Sequence, residues 1–138
     1  MQLLNVIQLL ENSNNDSNIL ENITWYHGTS TENWDKIQQS GYLGSMRKWY
    51  DPTFPPMIDH PFTMVQQTFL TNDINEARQF KTNNGEQRVI LAINYPFKQS
   101  HLFHSKITTN MIKRLTNNQR VIITVAIKIP LQNIKIIE

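Results

Sequence analysis

The sequence predicts an α+β domain with a mixed or antiparallel sheet and short flanking helices. Two observations predict this class: helical spacing of apolar residues is concentrated early in the chain, and short apolar segments typical of strands dominate its second half. A length of 138 residues fits one domain, 1–138, in which 1–22 is an N-terminal helix and connection and 44–66 is a lid-like loop. The sequence has no cysteine, which excludes disulfides, thiolate zinc sites and a cysteine nucleophile.

The first forty residues carry local start and stop signals. Apolar residues at helical spacing predict a short amphipathic helix over 3–10, and a polar connection leads to a first strand at Ile23–His27. Ser30 is a favourable N-cap, and Gly41 is a favourable C-terminal stop. These two residues predict a helix over 31–39.

Residues 44–66 combine prolines with large aromatic side chains. Four prolines exclude a regular element in this segment on sequence grounds: Pro52, Pro55, Pro56 and Pro61. Loops of this length in small domains are typically lids or binding loops. We therefore expect the segment to cover a ligand.

The remaining elements follow from periodicity and turn signals. Strands are predicted at Gln67–Leu70, Arg88–Tyr95, Arg120–Ile127 and Ile134–Ile137, and helices from a cap at Thr71 or Asp73 to about Phe80 and over Thr108–Leu115. Glu76 is placed for a capping box in the first of these helices. The strand Arg120–Ile127 alternates little and is predicted to be buried on both faces.

Charge is distributed unevenly along the chain. Residues 1–35 hold five acids and no Lys or Arg, whereas 36–138 hold thirteen basic residues and six acids, a net charge of +7. This basic body favours a polyanionic partner such as a dinucleotide, a nucleic acid or an acidic protein, although scattered surface lysines give the same count. No apolar stretch approaches the roughly 20 residues of a membrane span, and no basic n-region precedes the first apolar residues, so we expect a cytoplasmic protein without a membrane partner.

The string Trp25–Ser30 is the strongest local indication of a site. A histidine at a strand end, His27, followed by Gly28, presents an imidazole beside backbone that a ligand can approach closely. The structural alternative is that Gly28 supplies only a permissive backbone angle and Ser30 only a helix cap.

Four strings in order resemble one family. They are Tyr26–Ser30, Thr68–Asp73 followed by Ala77, Asn118–Ile123 and Ile129–Ile134. From about residue 24 to the C-terminus the chain resembles the ADP-ribosyltransferase fold, in the branch typified by diphtheria toxin and the poly(ADP-ribose) polymerases, including its small bacterial and phage members. The resemblance implies a split sheet and an NAD-dependent mono-ADP-ribosyltransferase, a toxin or host-modifying effector, that modifies a protein or nucleic acid.

The resemblance also implies roles for individual residues. His27 would hydrogen-bond the adenosine-side ribose of NAD, the backbone of Gly28 would hold the nicotinamide carboxamide, and Thr29 belongs to the same cofactor-binding string. Phe69 falls where the family has a stacking tyrosine. Separately from the resemblance, Arg47 in the aromatic loop could bind a phosphate or a target.

Gln119 aligns with the glutamate that supports the family's oxocarbenium-like transition state. An amide can orient the nicotinamide ribose but supplies no negative charge and accepts no proton. Family members without this glutamate typically add a single ADP-ribose or are inactive, so we expect one slow transfer. An acceptor base would then have to come from elsewhere, with Asp73, Glu86 and Glu138 as candidates.

Other interpretations stay open at this point. An RNA 2′-phosphotransferase that uses NAD shares the Tyr-His-Gly-Thr string, and a non-catalytic NAD- or ADP-ribose-binding module would tolerate Gln119. His101 and His104 have a spacing that puts two imidazoles on one helical face, but no third ligand is evident, so no metal is expected.

Overall fold

The computed structural model describes residues 16–44, 46–50, 62–82, 85–103 and 106–138. The helices are α1 (Thr31–Ser40), α2 (Ile74–Ala77) and α3 (Thr109–Thr116). The strands are β1 (Trp25–Ser30), β2 (Tyr42–Leu43), β3 (Met46–Tyr50), β4 (Phe62–Gln66), β5 (Thr68–Thr71), β6 (Arg88–Ile93), β7 (Ile122–Val125), β8 (Ile129–Pro130) and β9 (Ile134–Ile136). Short 3-10 turns lie at Asp16–Asn22, Gln99–His101 and Leu131–Asn133. The predicted helix over 3–10 lies outside the described residues.

Five strands form one sheet in the order β7-β5-β1-β6-β9, with every neighbouring pair antiparallel. This arrangement confirms the α+β class with a largely antiparallel sheet. Pairing of β1 with β6 continues over six residue pairs, from Trp25–Ile93 to Ser30–Arg88. Pairing of β1 with β5 is limited to Tyr26–Thr71. The sheet therefore opens between β1 and β5 beyond this one pair.

Two smaller ladders lie outside the main sheet, β2 with β8 and β3 with β4. The β3–β4 hairpin corrects the expectation of irregular structure throughout 44–66. Its strands lie on either side of the prolines and contain β-branched and aromatic residues, which favour extended structure. All four prolines fall within 51–61, outside the described residues, and so does the central part of the expected lid.

The main hydrophobic core lies on one face of the sheet, and Ile90 and Ala92 of β6 are buried on the other face. The fully buried large side chains of the main core include Trp25, Leu20, Leu70, Leu91, Ile93, Phe97, Ile123 and Ile129. The prediction that β7 is buried on both faces is wrong, because Ile123 and Val125 are buried whereas Ile122 is 51% exposed. Since β7 is an edge strand with only one face packed on the core, its outer face remains accessible.

Local capping determines where two helices begin. The Ser30 hydroxyl accepts a hydrogen bond from the Asn33 backbone N–H at 3.1 Å, and Gly41 ends α1 with φ of +84°, which confirms the predicted helix. Thr108 caps α3 in the same way, as its hydroxyl accepts from the Met111 N–H.

Several elements differ from the predicted limits, since β6 ends at Ile93 and β7 spans only Ile122–Val125. Helix α2 is capped by Asp73 but ends at Ala77 rather than near Phe80. The carboxylate of Glu76 pairs with Arg120 across 44 residues of sequence, a long-range contact that local spacing does not reveal. The first strand begins at Trp25 and continues to Ser30, so His27 lies within it rather than at its end.

Candidate functional site

The opening between β1 and β5 carries the candidate site, which consists of two adjoining cavities. The first has a volume of about 470 Å³ and lies between β1, α1, β2 and β5, whereas the second, of about 460 Å³, lies between β1, β5 and α2. The residues His27, Gly28, Phe69 and Phe80 line both. These four residues form a shared wall, and the two cavities on either side of it together make up one cleft.

The imidazole of His27 bridges the opening in the sheet. Its Nδ1 lies 2.8 Å from the backbone carbonyl oxygen of Phe69. Because a carbonyl oxygen can only accept, this contact requires the proton on Nδ1. In the neutral ring, Nε2 then carries the lone pair and is the acceptor nitrogen.

The backbone of Gly28 faces the cleft. Antiparallel neighbours exchange hydrogen bonds at alternate residues, and the Thr31 N–H donates to the Gln87 carbonyl at 3.0 Å in the register of β1 with β6. Odd-numbered residues of β1 therefore bond to β6, and the N–H and C=O of Gly28 point toward β5. Since pairing with β5 stops at Tyr26, these two groups lie at the open part of the sheet.

Gly28 is required by packing rather than by a special backbone angle, because its φ is not in the left-handed region. A Cβ added there would lie 2.4 Å from the Ala77 carbonyl oxygen and 2.7 Å from the Cβ of Phe80. The absence of a side chain thus allows the end of α2 to lie directly on β1. It also brings Phe80 into the shared wall of the cleft.

Exposed apolar side chains form much of the second cavity. Phe69 is 50% exposed and Phe80 41% exposed, and Ile122 adds a third accessible apolar side chain. Aromatic faces of this kind can stack on a planar ligand. The second cavity therefore suits a flat, weakly polar ring.

Polar groups and a cation line the first cavity. Lys36 is the one charged side chain among its described lining residues, with its Nζ 3.7 Å from the Glu32 carboxylate at the surface. Thr29 and Thr68 are buried in its wall, and the hydroxyl of Thr68 has no hydrogen-bond partner among the described residues. This combination suits a polar, anionic ligand group.

Two carboxyl groups lie near Lys36. A hydrogen bond between the two carboxyl groups raises the pKa of Glu86 and lowers the pKa of Glu32. The positive charge of Lys36 is the second cause that lowers the pKa of Glu32. Neither carboxyl group lines either cavity. Of the two, Glu86 was a candidate acceptor base on sequence grounds.

Glu76 is the one carboxylate among the described residues that line the cleft. Its Oε2 accepts from Nη1 of Arg120 at 2.8 Å, and its side chain is 27% exposed. On sequence grounds Glu76 is predicted only as a capping residue. Its spacing from Arg120 offered no local signal of their contact.

The structure brings together four of the predicted site residues, His27, Gly28, Thr29 and Phe69, in the first cavity. Arg47 lies in β3, but its side chain is outside the described part of the chain.

Gln119 lies in the turn between α3 and β7. Its N–H donates to the Arg114 carbonyl at 2.8 Å, and its own carbonyl accepts from the Asn72 side chain at 2.9 Å. It lines neither cavity.

The other acidic candidates are engaged elsewhere. Asp73 accepts from the Asn75 N–H as the cap of α2, and Glu138 pairs with Nε of Arg78 at 2.9 Å. Neither lines the cleft. The carboxylates of both residues thus bond to groups outside the cleft.

Among the described residues, no group of three or more His, Asp or Glu side chains could hold a metal ion. Nδ1 of His101 accepts from the Lys98 N–H at 3.0 Å, and burial, with a smaller effect of the Lys98 charge, lowers the pKa of His101. His104 lies outside the described residues. No helix in the described part of the chain is long and apolar enough to cross a membrane.

Comparison with protein-family models, with curated proteins and with solved structures finds no match to this chain.

Proposed function

We propose that the protein is an NAD-dependent mono-ADP-ribosyltransferase that binds NAD in the cleft between β1 and β5. One observation carries the proposal: where β1 and β5 stop pairing, the backbone of Gly28 and the ring of His27 face the same opening. A sheet divided beside a His-Gly strand is what the resemblance to ADP-ribosyltransferases implies. The family assignment and the activity are both part of this proposal.

The polar groups of β1 complement two parts of NAD. A carboxamide has an oxygen acceptor and an NH₂ donor, so the N–H and C=O of one residue, Gly28, can bond both in a reciprocal pair. The Nε2 lone pair of His27 can accept a hydrogen bond from a ribose hydroxyl. Both contacts depend on orientations that the strand itself holds in place.

The unlike chemistry of the two cavities suits the unlike ends of a dinucleotide. The second cavity, with Phe69 and Phe80, offers stacking surface to the nicotinamide ring. The first cavity offers Lys36 to the diphosphate and hydroxyl groups to the adenosine ribose. An NAD molecule that occupies both cavities would cross their shared wall, and its nicotinamide ribose would then lie beside Gly28.

Titration calorimetry with NAD, followed by measurement of nicotinamide release, tests the proposal. We expect the parent protein to bind NAD and His27→Ala to bind it about ten- to a hundredfold more weakly, as for a hydrogen bond within a polar site. His101→Ala is the matched control, because that histidine lines neither cavity. Failure of the parent to bind NAD, or equal affinities for the two variants, would contradict the proposal.

A non-catalytic NAD- or ADP-ribose-binding module is the second candidate. Two observations favour it. Gln119 lies outside both cavities, and no carboxylate is present among the described residues that line the first cavity. Binding without nicotinamide release would establish it. Turnover that requires 2′-phosphorylated RNA would instead assign the protein to the RNA 2′-phosphotransferases.

A further inference from the structure

We infer that Glu76, held in position by Arg120, contacts the nicotinamide ribose of bound NAD and supplies the negative charge that Gln119 lacks. This inference rests on the proposed function, since it assigns a residue to the NAD site. It moves the carboxylate from the turn before β7 to helix α2.

The position of Glu76 is the first support. It lines the second cavity together with Gly28 and Phe69, the two residues proposed to hold the carboxamide and to stack on the nicotinamide ring. The reacting carbon, C1′ of the ribose, is bonded directly to that ring. Because Glu76 lines the same cavity, the inference places its carboxylate beside the bond that breaks.

The ion pair with Arg120 is the second support. Nη1 of Arg120 binds only Oε2 of Glu76, at 2.8 Å, and Oε1 has no hydrogen-bond partner among the described residues. About three quarters of the Glu76 side chain is covered. The pair thus holds one carboxylate oxygen while leaving the other to accept from a ligand hydroxyl, a bond of the stronger, charge-assisted kind.

The chemistry of transfer gives this carboxylate a defined role. The bond between C1′ and the nicotinamide nitrogen breaks, and its electron pair leaves with the ring, which departs as neutral nicotinamide. The positive charge of the pyridinium passes to C1′ and the ring oxygen of the ribose, where a nearby carboxylate stabilises it. A hydroxyl of the acceptor, or water, then adds its electron pair to C1′, and its proton passes to the carboxylate and on to solvent.

Glu76→Gln tests the role directly, because it keeps the shape of the side chain and removes its charge. The matched control is Glu138→Gln, which breaks a comparable surface ion pair, with Arg78, outside the cleft. Nicotinamide release is measured with water as the acceptor, and NAD affinity and thermal unfolding are measured for each variant. Arg120→Ala and Arg120→Lys test positioning.

We expect Glu76→Gln to lower kcat for nicotinamide release about a hundredfold with KM changed only a few-fold, and Glu138→Gln to leave both near the parent values. Arg120→Ala should lower kcat about tenfold, and Arg120→Lys should recover part of that loss. An ion pair that only stabilised the fold would leave kcat of the folded variants unchanged. Equal kcat values for Glu76→Gln and Glu138→Gln in folded proteins would overturn the inference and leave the proposed function intact.

If the parent binds NAD without releasing nicotinamide, the affinities decide. A loss of about tenfold in Glu76→Gln relative to Glu138→Gln then supports the contact, and equal affinities overturn it. If the parent binds no NAD, the proposed function fails and the role of Glu76 fails with it.

Discussion

Replacement of Gly28 by alanine should destabilise the protein, although alanine normally stabilises a strand relative to glycine. The new Cβ would lie 2.4 Å from the Ala77 carbonyl oxygen, a separation that real Cβ atoms do not show, and 2.7 Å from the Cβ of Phe80. Neither atom is the end of a flexible side chain. The end of α2 must therefore move away from β1 to admit one methyl group.

Two opposing effects set the magnitude. Lower backbone entropy of the unfolded chain favours alanine by about 0.4–1 kcal/mol. Overpacking at a site that cannot relax costs about 1–3 kcal/mol, and contacts this short belong at the upper end. We expect a net loss of roughly 2–2.6 kcal/mol, which lowers Tm by about 7–9 °C in a chain of this size.

Thermal and urea unfolding of the parent, Gly28→Ala and Gly28→Val measure the effect. Valine is larger than alanine and has a higher strand propensity. If packing decides, the parent is the most stable protein and the valine variant the least stable. If strand propensity decides, the order is reversed. NAD affinity should fall in parallel, because displacement of α2 moves Phe80 in the wall of the cleft. An alanine variant as stable as the parent would refute the packing explanation for Gly28.

Two further predictions concern residues outside the cleft. The Arg78 guanidinium lowers the pKa of Glu138 below its ordinary 4.5, so the pair stabilises the fold fully above about pH 4.5 and loses that contribution as pH falls through the lowered pKa. The Tm difference between the parent and Glu138→Gln should accordingly be present at pH 7 and shrink as the pH falls below 4.5; a difference that stays constant over that range would exclude the ion pair as its cause. Gln119→Ala should change nicotinamide release only a few-fold, since the Asn72 contact uses the Gln119 backbone and the side chain lines neither cavity. A loss as large as that of Glu76→Gln would restore Gln119 as the ribose-orienting residue.

The sequence by itself determined the features that depend on neighbouring residues. Ser30 and Gly41 define α1, and Thr108 begins α3, because a cap bonds to backbone only a few residues away. The same local information placed His27 at the end of a strand and Gly28 at the junction that leads into a helix. The sequence did not reveal the β3–β4 hairpin, because four prolines within 44–66 argue against strands there, whereas in the structure they lie between the two strands.

Only the tertiary structure decided how the cleft is built. The single pairing of Tyr26 with Thr71, the approach of Ala77 to Gly28 and the contact of Glu76 with Arg120 each join residues more than forty positions apart. No periodicity or cap signal encodes such contacts, because they arise when strands take their order in the sheet. For the same reason the resemblance, which compares residues only by their order along the chain, pointed to Gln119. In the folded chain the carboxylate-bearing residue that lines the cleft is Glu76 of α2.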